Sequence, residues 1–172
     1  MKVLFDTNVV LDHLLEREPF VDAAEQLLSL VDSGRIDGVI CSTTATTIHY
    51  LAAKAVGTSA AMEYLRKLLA IFDVACVDRE VLLGALDADF SDYEDAVLHE
   101  AACSSGAAAI VTRNGADFRK STLPVFAPDE LLAAVSADPG VVRGIPNKRI
   151  KLAARGATVK RGGSAAAYPQ TR

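Results

Sequence analysis

Residues 1–15 read MKVLFDTNVVLDHLL, a short apolar run that ends in three polar side chains before apolar character resumes at Val9. Lys2 to Phe5 has the length and composition of a buried strand. The polar triplet Asp6-Thr7-Asn8 then leads into a helix that starts at Asn8. Asp6, at the junction, supports two readings. One is a helix N-cap, since Asp, Thr and Asn all accept a hydrogen bond from a free backbone N–H there. The other is a ligand or catalytic carboxylate, because open α/β sheets place their chemistry at the carboxyl ends of strands.

The same rhythm continues along the chain. Short apolar runs at Val3 to Phe5, Gly38 to Cys41, Val74 to Val77, Ala109 to Thr112 and Pro124 to Phe126 alternate with segments of helical spacing, the signature of βαβ units and a parallel sheet. In PFVDAAEQLLSLVDSG the residues Phe20, Ala23, Ala24, Leu27, Leu28 and Val31 share one face, and Gly34 is the expected terminator. STTATTIHYLAAKAVG reads as a helix capped by Ser42 or Thr43 and stopped by Gly57. SAAMEYLRKLLAIF, REVLLGALDADF, DYEDAVLHEAACSSG and PDELLAAV complete the set, the last opening with Pro128 and Asp129 in favoured first-turn positions. Right-handed crossovers point every strand of such a sheet toward one common edge.

At 172 residues the chain suits one domain with a tail, which we place at residues 1–136 and 137–172. No stretch approaches the roughly 18 to 20 apolar residues that span a bilayer, and Met1-Lys2 leads directly into strand-like sequence without a signal-peptide pattern. A cytoplasmic protein with no membrane partner is the expectation. Cys41, Cys76 and Cys103 are widely spaced in apolar surroundings and read as small buried residues rather than a metal site or disulfide framework. Net charge is −4, but the first 142 residues carry 10 basic and 22 acidic residues, while eight bases and no acid follow. That basic segment, rich in Gly, Ala and Ser, is expected to be a solvated, disordered tail; the alternative is an extension that binds a polyanion or a partner.

At the common edge the acids gather. Asp6 ends the first strand. The fourth ends in Thr112-Arg113-Asn114, with Asp117 three residues on. The helix before it starts with Asp92, Glu94 and Asp95, and residues three apart lie on one side, so Asp92 and Asp95 share a direction that Glu94 does not. Read singly, Asp92 is a cap and Asp117 a turn residue; together, at matching strand ends, they describe a site. Carboxylates held together raise one another's pKa and call for a cation. Oxygen ligands suit Mg²⁺ or Mn²⁺, which points to nuclease or phosphatase chemistry.

FDTNVVLDHLLEREPF, FSDYEDAVLHEAACSSGAAAIVTRNGADF and LPVFAPDELLAAV, in that order, resemble the PIN domain of VapC-like toxins and related endoribonucleases over roughly residues 1 to 135. The resemblance implies a three-layer α/β/α domain with a parallel sheet of about five short strands and Mg²⁺- or Mn²⁺-dependent cleavage of RNA. It also implies frequent homodimers and, in many members, a small antitoxin partner. Carried over, Asp6, Asp95 and Asp117 match the family's first, third and fourth carboxylates. Asn114 matches the polar residue of the TRN turn and is expected to orient a ligand or water. Asp92 matches an extra acid of some members and ranks below Asp95. The second family carboxylate, usually a glutamate on the helix after strand two, has no counterpart: its place falls on Thr47, or on His49 if the register slips by two. Thr47, Thr112 and His99 are expected in supporting roles. His99 stands four residues after Asp95 and can face it, as a base or as a hydrogen-bonded neighbour.

Two other functions compete with a metal-dependent endoribonuclease. A phosphatase with Asp6 as nucleophile wants a general acid two residues on, where Asn8 stands. A catalytically degenerate PIN-like domain that binds RNA or a protein would explain the missing acid.

Overall fold

The computed structural model describes residues 1–137. Five strands, β1 (Lys2–Phe5), β2 (Asp37–Cys41), β3 (Asp73–Ala75), β4 (Ala109–Val111) and β5 (Val125–Phe126), form one all-parallel sheet in the order β3-β2-β1-β4-β5. The helices are α1 (Thr7–Leu14), α2 (Val21–Asp32), α3 (Ser42–Val56), α4 (Thr58–Ile71), α5 (Arg79–Asp87), α6 (Tyr93–Ser104) and α7 (Pro128–Ala137). The chain winds outward from β1 to β3, then returns to the other side of β1 as β4. A crevice therefore opens at the carboxyl ends of β1 and β4, where the winding direction reverses.

Alternation along the strands builds two cores. Val3, Phe5, Ile40 and Val111 face one, with Val9, Val10, Leu27, Ile48, Leu68 and Leu131 from α1, α2, α3, α4 and α7. Leu4, Val39, Cys41 and Ile110 face the other, with Val81, Ala96, Leu98 and Ala101 from α5 and α6. Helices on both faces of a parallel sheet make the three-layer α/β/α architecture expected. Gly38 is required on the first face: a Cβ there would lie 2.7 Å from the Phe72 ring and from Val31 Cγ1, and Phe72 in turn packs edge-on against Phe5.

Several boundaries differ from the sequence expectation, each for a local reason. β3 stops at Ala75 rather than reaching Val77, because its partner β2 ends at Cys41 opposite Ala75 and turns into α3. Thr112 falls outside β4 for the same reason, its β1 neighbour having ended at Phe5, although its N–H still donates to Phe126 at 3.0 Å. Helix α1 begins at Thr7, one residue before Asn8. Neither Ser42 nor Thr43 caps α3: the chain passes from β2 directly into helix, Cys41 holds the N-cap position, and both hydroxyl residues are already helical. Gly57 does end α3, with φ +87°. Of the cysteines only Cys41 is buried. Cys76 follows the edge strand and Cys103 lies on the outer side of α6, so both are exposed. Helix α7 closes at Ala137, and the expected tail beyond it lies outside the described residues. No helix among the described residues is long and apolar enough to cross a membrane.

Candidate active site

The crevice at the carboxyl edge is organised around Asp6. Its N–H donates to Val111 at 3.0 Å, tying the end of β1 to the end of β4. Asp6 holds the N-cap position of α1, yet its side chain caps nothing. Instead Oδ2 accepts the Thr112 hydroxyl at 2.6 Å and the Asn8 amide at 2.5 Å. Thr112 Oγ1 also accepts from Asn8 Nδ2 at 3.1 Å and from the Asn114 N–H at 2.9 Å, and Asn8 Oδ1 accepts the Arg113 N–H at 3.2 Å. One network thus fixes the β1–α1 junction to the turn after β4. With Asn8 spent as a donor to Asp6, no general acid stands beside that carboxylate for phosphatase chemistry.

The other acids approach from α6 and the turn after β4. Asp92 is exposed and is the N-cap of α6, its Oδ1 accepting the Glu94 N–H at 2.7 Å, so the capping reading holds for this residue. Asp95, one turn on, is half-buried. Asp117 is exposed at the end of a turn whose N–H donates to Asn114 O at 2.9 Å. Asp95 is pushed up to about 7, first by burial and then by the charges of Asp92, Asp6, Asp117 and Glu94. Asp6, 7% exposed, is raised by burial, against the Thr112 hydrogen bond and the charge of Arg113. Glu94 is raised by burial, Asp92 and Asp6. Glu94, exposed on α6, thus feels the charge of Asp6 as well as that of its neighbour Asp92.

Thr47 is half-buried on α3, one turn beyond Thr44, whose hydroxyl receives that of Thr7 at 3.2 Å. That bond draws the first turn of α3 to the β1–α1 junction, and Thr47 lies three residues further on, on the same side of the helix as Thr44. His49 Nε2 is buried without a hydrogen-bond partner. His99 is not oriented toward Asp95. Its ring is buried against Phe90, Nδ1 contacts Glu100 at 2.9 Å, and Nε2 accepts the Thr122 N–H at 3.1 Å.

A residue that sequence spacing did not single out completes the surroundings. Asp12 on α1 is 1% exposed, and its Oδ2 lies 2.9 Å from Arg113 Nε, with Arg17 Nη1 3.8 Å from Oδ1. Burial raises Asp12, Arg113 and Arg17 oppose that, and the charge of Asp6 adds to it. The signal available in the sequence was an acid directly after the apolar run Val9-Val10-Leu11.

Among the described residues no three His, Cys, Asp or Glu side chains form a group that could hold a metal ion. Asp95 nevertheless feels its neighbours: after burial, the charges of Asp92, Asp6, Asp117 and Glu94 all favour its neutral form. An all-oxygen set of this kind fits Mg²⁺ or Mn²⁺, which keep several waters and bind through one or two carboxylates, and does not fit a dehydrated ion.

The model for the PIN domain matches residues 2–116. The chain belongs to the PIN domain family. This PIN domain also has the fold of several solved structures. VapBC2 from Rickettsia felis, bound to a DNA fragment from its promoter, is 16% identical with a TM-score of 0.61, over 74% of this chain and 98% of that one. A toxin–antitoxin complex from Klebsiella pneumoniae is 22% identical with a TM-score of 0.57, over 73% and 97%. PAE2754 from Pyrobaculum aerophilum is 22% identical with a TM-score of 0.54, over 80% and 91%. No match was found among curated proteins. At these identities the structures establish the shared fold of this PIN domain, and its chemistry rests on its own residues.

Proposed function

We propose that this PIN domain is a metal-dependent endoribonuclease and the toxin of a toxin–antitoxin pair. The observation that carries the reading is the gathering of Asp6, Asp95 and Asp117 at the carboxyl edge, where burial first and then the neighbouring carboxylates push Asp95 up to about 7. Family membership and the VapBC and FitAB complexes among the structures of like fold support it. An antitoxin partner, an RNA substrate and a homodimer belong to the same reading.

Asp6, Asp95 and Asp117 would hold Mg²⁺ or Mn²⁺, with Asp92 at the margin. When bound, the ion supplies an acidified water and neutralises charge on the scissile phosphate. The chain's own part is positional. Both hydrogen bonds to Asp6 fall on Oδ2, which fixes the carboxylate and leaves Oδ1 as a donor atom. Burial and the surrounding acids favour the neutral form of Asp95, and a bound cation would favour its carboxylate. Asn114, whose backbone N–H donates to Thr112, would orient a ligand.

The acidic body does not attract RNA, since phosphate contacts dominate nucleic-acid affinity. Local bases must serve: Arg119 and Lys120 follow Asp117, and Lys120 is itself paired with Asp89 at 2.7 Å. Thr47 in place of an acid favours a second reading, a catalytically degenerate PIN-like module that binds RNA or protein. Cleavage of an RNA panel with Mg²⁺ or Mn²⁺ by wild type and Asp6→Asn separates the two. Cleavage by wild type alone supports the nuclease; equal results from both proteins refute it.

A further inference from the structure

Phe20 immediately precedes α2 and leaves 39% of its surface exposed. The guanidinium carbon of Arg113 lies 4.3 Å from the centre of its ring. Arg113 belongs to the turn after β4, between Thr112, which bonds Asp6, and Asn114. The exposed ring is thus one arginine side chain away from the acidic crevice.

The guanidinium is held there at a cost. Its Nε faces the buried Asp12, and a buried ion pair is generally no more stable than apolar residues of the same volume. What the pair provides is a fixed position for the arginine. Among the described residues the terminal nitrogens of Arg113 make no hydrogen bond, and its side chain is 25% exposed, so donors remain for a ligand. An aromatic face beside free guanidinium donors recognises a nucleotide by stacking its base and binding its phosphate.

We propose that Phe20 and Arg113 form a stacking platform for one unpaired base of RNA at the rim of the crevice, with the adjoining phosphate on the Arg113 terminal nitrogens. The inference rests on the RNA-directed function above and specifies its substrate as single-stranded there, because bases in a duplex have their faces covered. Stacking also gives an acidic domain a grip on RNA that does not depend on net charge.

The chain contains no tryptophan, so Phe20→Trp introduces a single fluorophore at an exposed position. Full-length protein is titrated in metal-free buffer, where no cleavage occurs, with an unstructured RNA oligonucleotide and with a duplex of the same composition. Quenching by the single strand and not by the duplex is expected. In parallel, Phe20→Leu, which keeps apolar bulk without a ring, weakens single-strand binding measured by anisotropy about tenfold. No quenching by the single strand, equal quenching by the duplex, or unchanged affinity in Phe20→Leu overturns the proposal. Because the readout is binding, quenching without any cleavage in the metal assay rejects the nuclease and leaves the platform, whereas cleavage without quenching rejects the platform alone.

Discussion

Asp95→Asn in metal-free protein should stabilise the fold at pH 8. An ordinary aspartate ionises near 4 when unfolded, and Asp95 is held at about 7 when folded. The folded state therefore binds the proton more tightly, so stability from this group rises as pH falls from about 7 toward 4 and is penalised above 7. The unscreened penalty is ~4 kcal/mol. Solvent reaches this half-buried carboxyl, and we reduce the figure to about 1–2 kcal/mol. Asparagine also loses a favourable negative charge in the first turn of α6, ~0.5 kcal/mol, leaving a gain of roughly 1 kcal/mol. For a domain of this size that is a rise in Tm of about 2–5 °C.

The assay is thermal unfolding with EDTA at pH 8 and pH 5.5. His13, lowered by burial, destabilises the protein as pH falls below about 6.5, but it cancels in the difference between wild type and variant. That difference should be positive at pH 8 and smaller at pH 5.5, part-way through the window from about 7 to 4 over which the penalty is relieved. Added Mg²⁺ at pH 8 should raise the Tm of wild type more than that of the variant. A variant less stable than wild type at pH 8 would refute the argument that the acids converge.

Thr47→Glu, which restores a fourth charge, should tighten Mg²⁺ binding in calorimetry about tenfold, ~1.4 kcal/mol, and increase RNA cleavage; unchanged affinity would place Thr47 outside the site. Asp12→Ala strands Arg113 beside a buried surface and should cost about 2–3 kcal/mol in urea unfolding, below the fully buried range because Arg113 is partly exposed. The double variant Asp12→Leu with Arg113→Met should recover most of that stability while losing single-stranded RNA binding. Gly38→Ala should lose about 1–3 kcal/mol through its clash with Phe72 and Val31, and a neutral result would mean that the ring yields freely.

The layered fold was readable because its cause is local. Apolar runs too short for helices, separated by segments of period 3.6, leave few arrangements other than a parallel sheet covered on both faces. Strand ends were less readable because a strand lasts only while its neighbour does: β3 stops where β2 turns into α3, a fact about Cys41 that Cys76 and Val77 do not carry.

The candidate site divides along the same line. Asp6, Asp95 and Asp117 were proposed from residue type and position relative to strand ends, and the absent acid at Thr47 from the resemblance to the PIN domain. Only the tertiary structure could decide that Asp6 bonds Thr112 and Asn8 instead of capping α1, that His99 pairs with Thr122 and Glu100, and that Glu94 lies within reach of Asp6. The pairing of Asp12 with Arg113 is the clearest case. The two residues stand 101 positions apart, on a helix and on a turn, and each taken alone is an ordinary charged side chain. Their partnership exists because β1 and β4 are neighbours in the sheet, and the energy of a buried charge is set by what folding brings beside it.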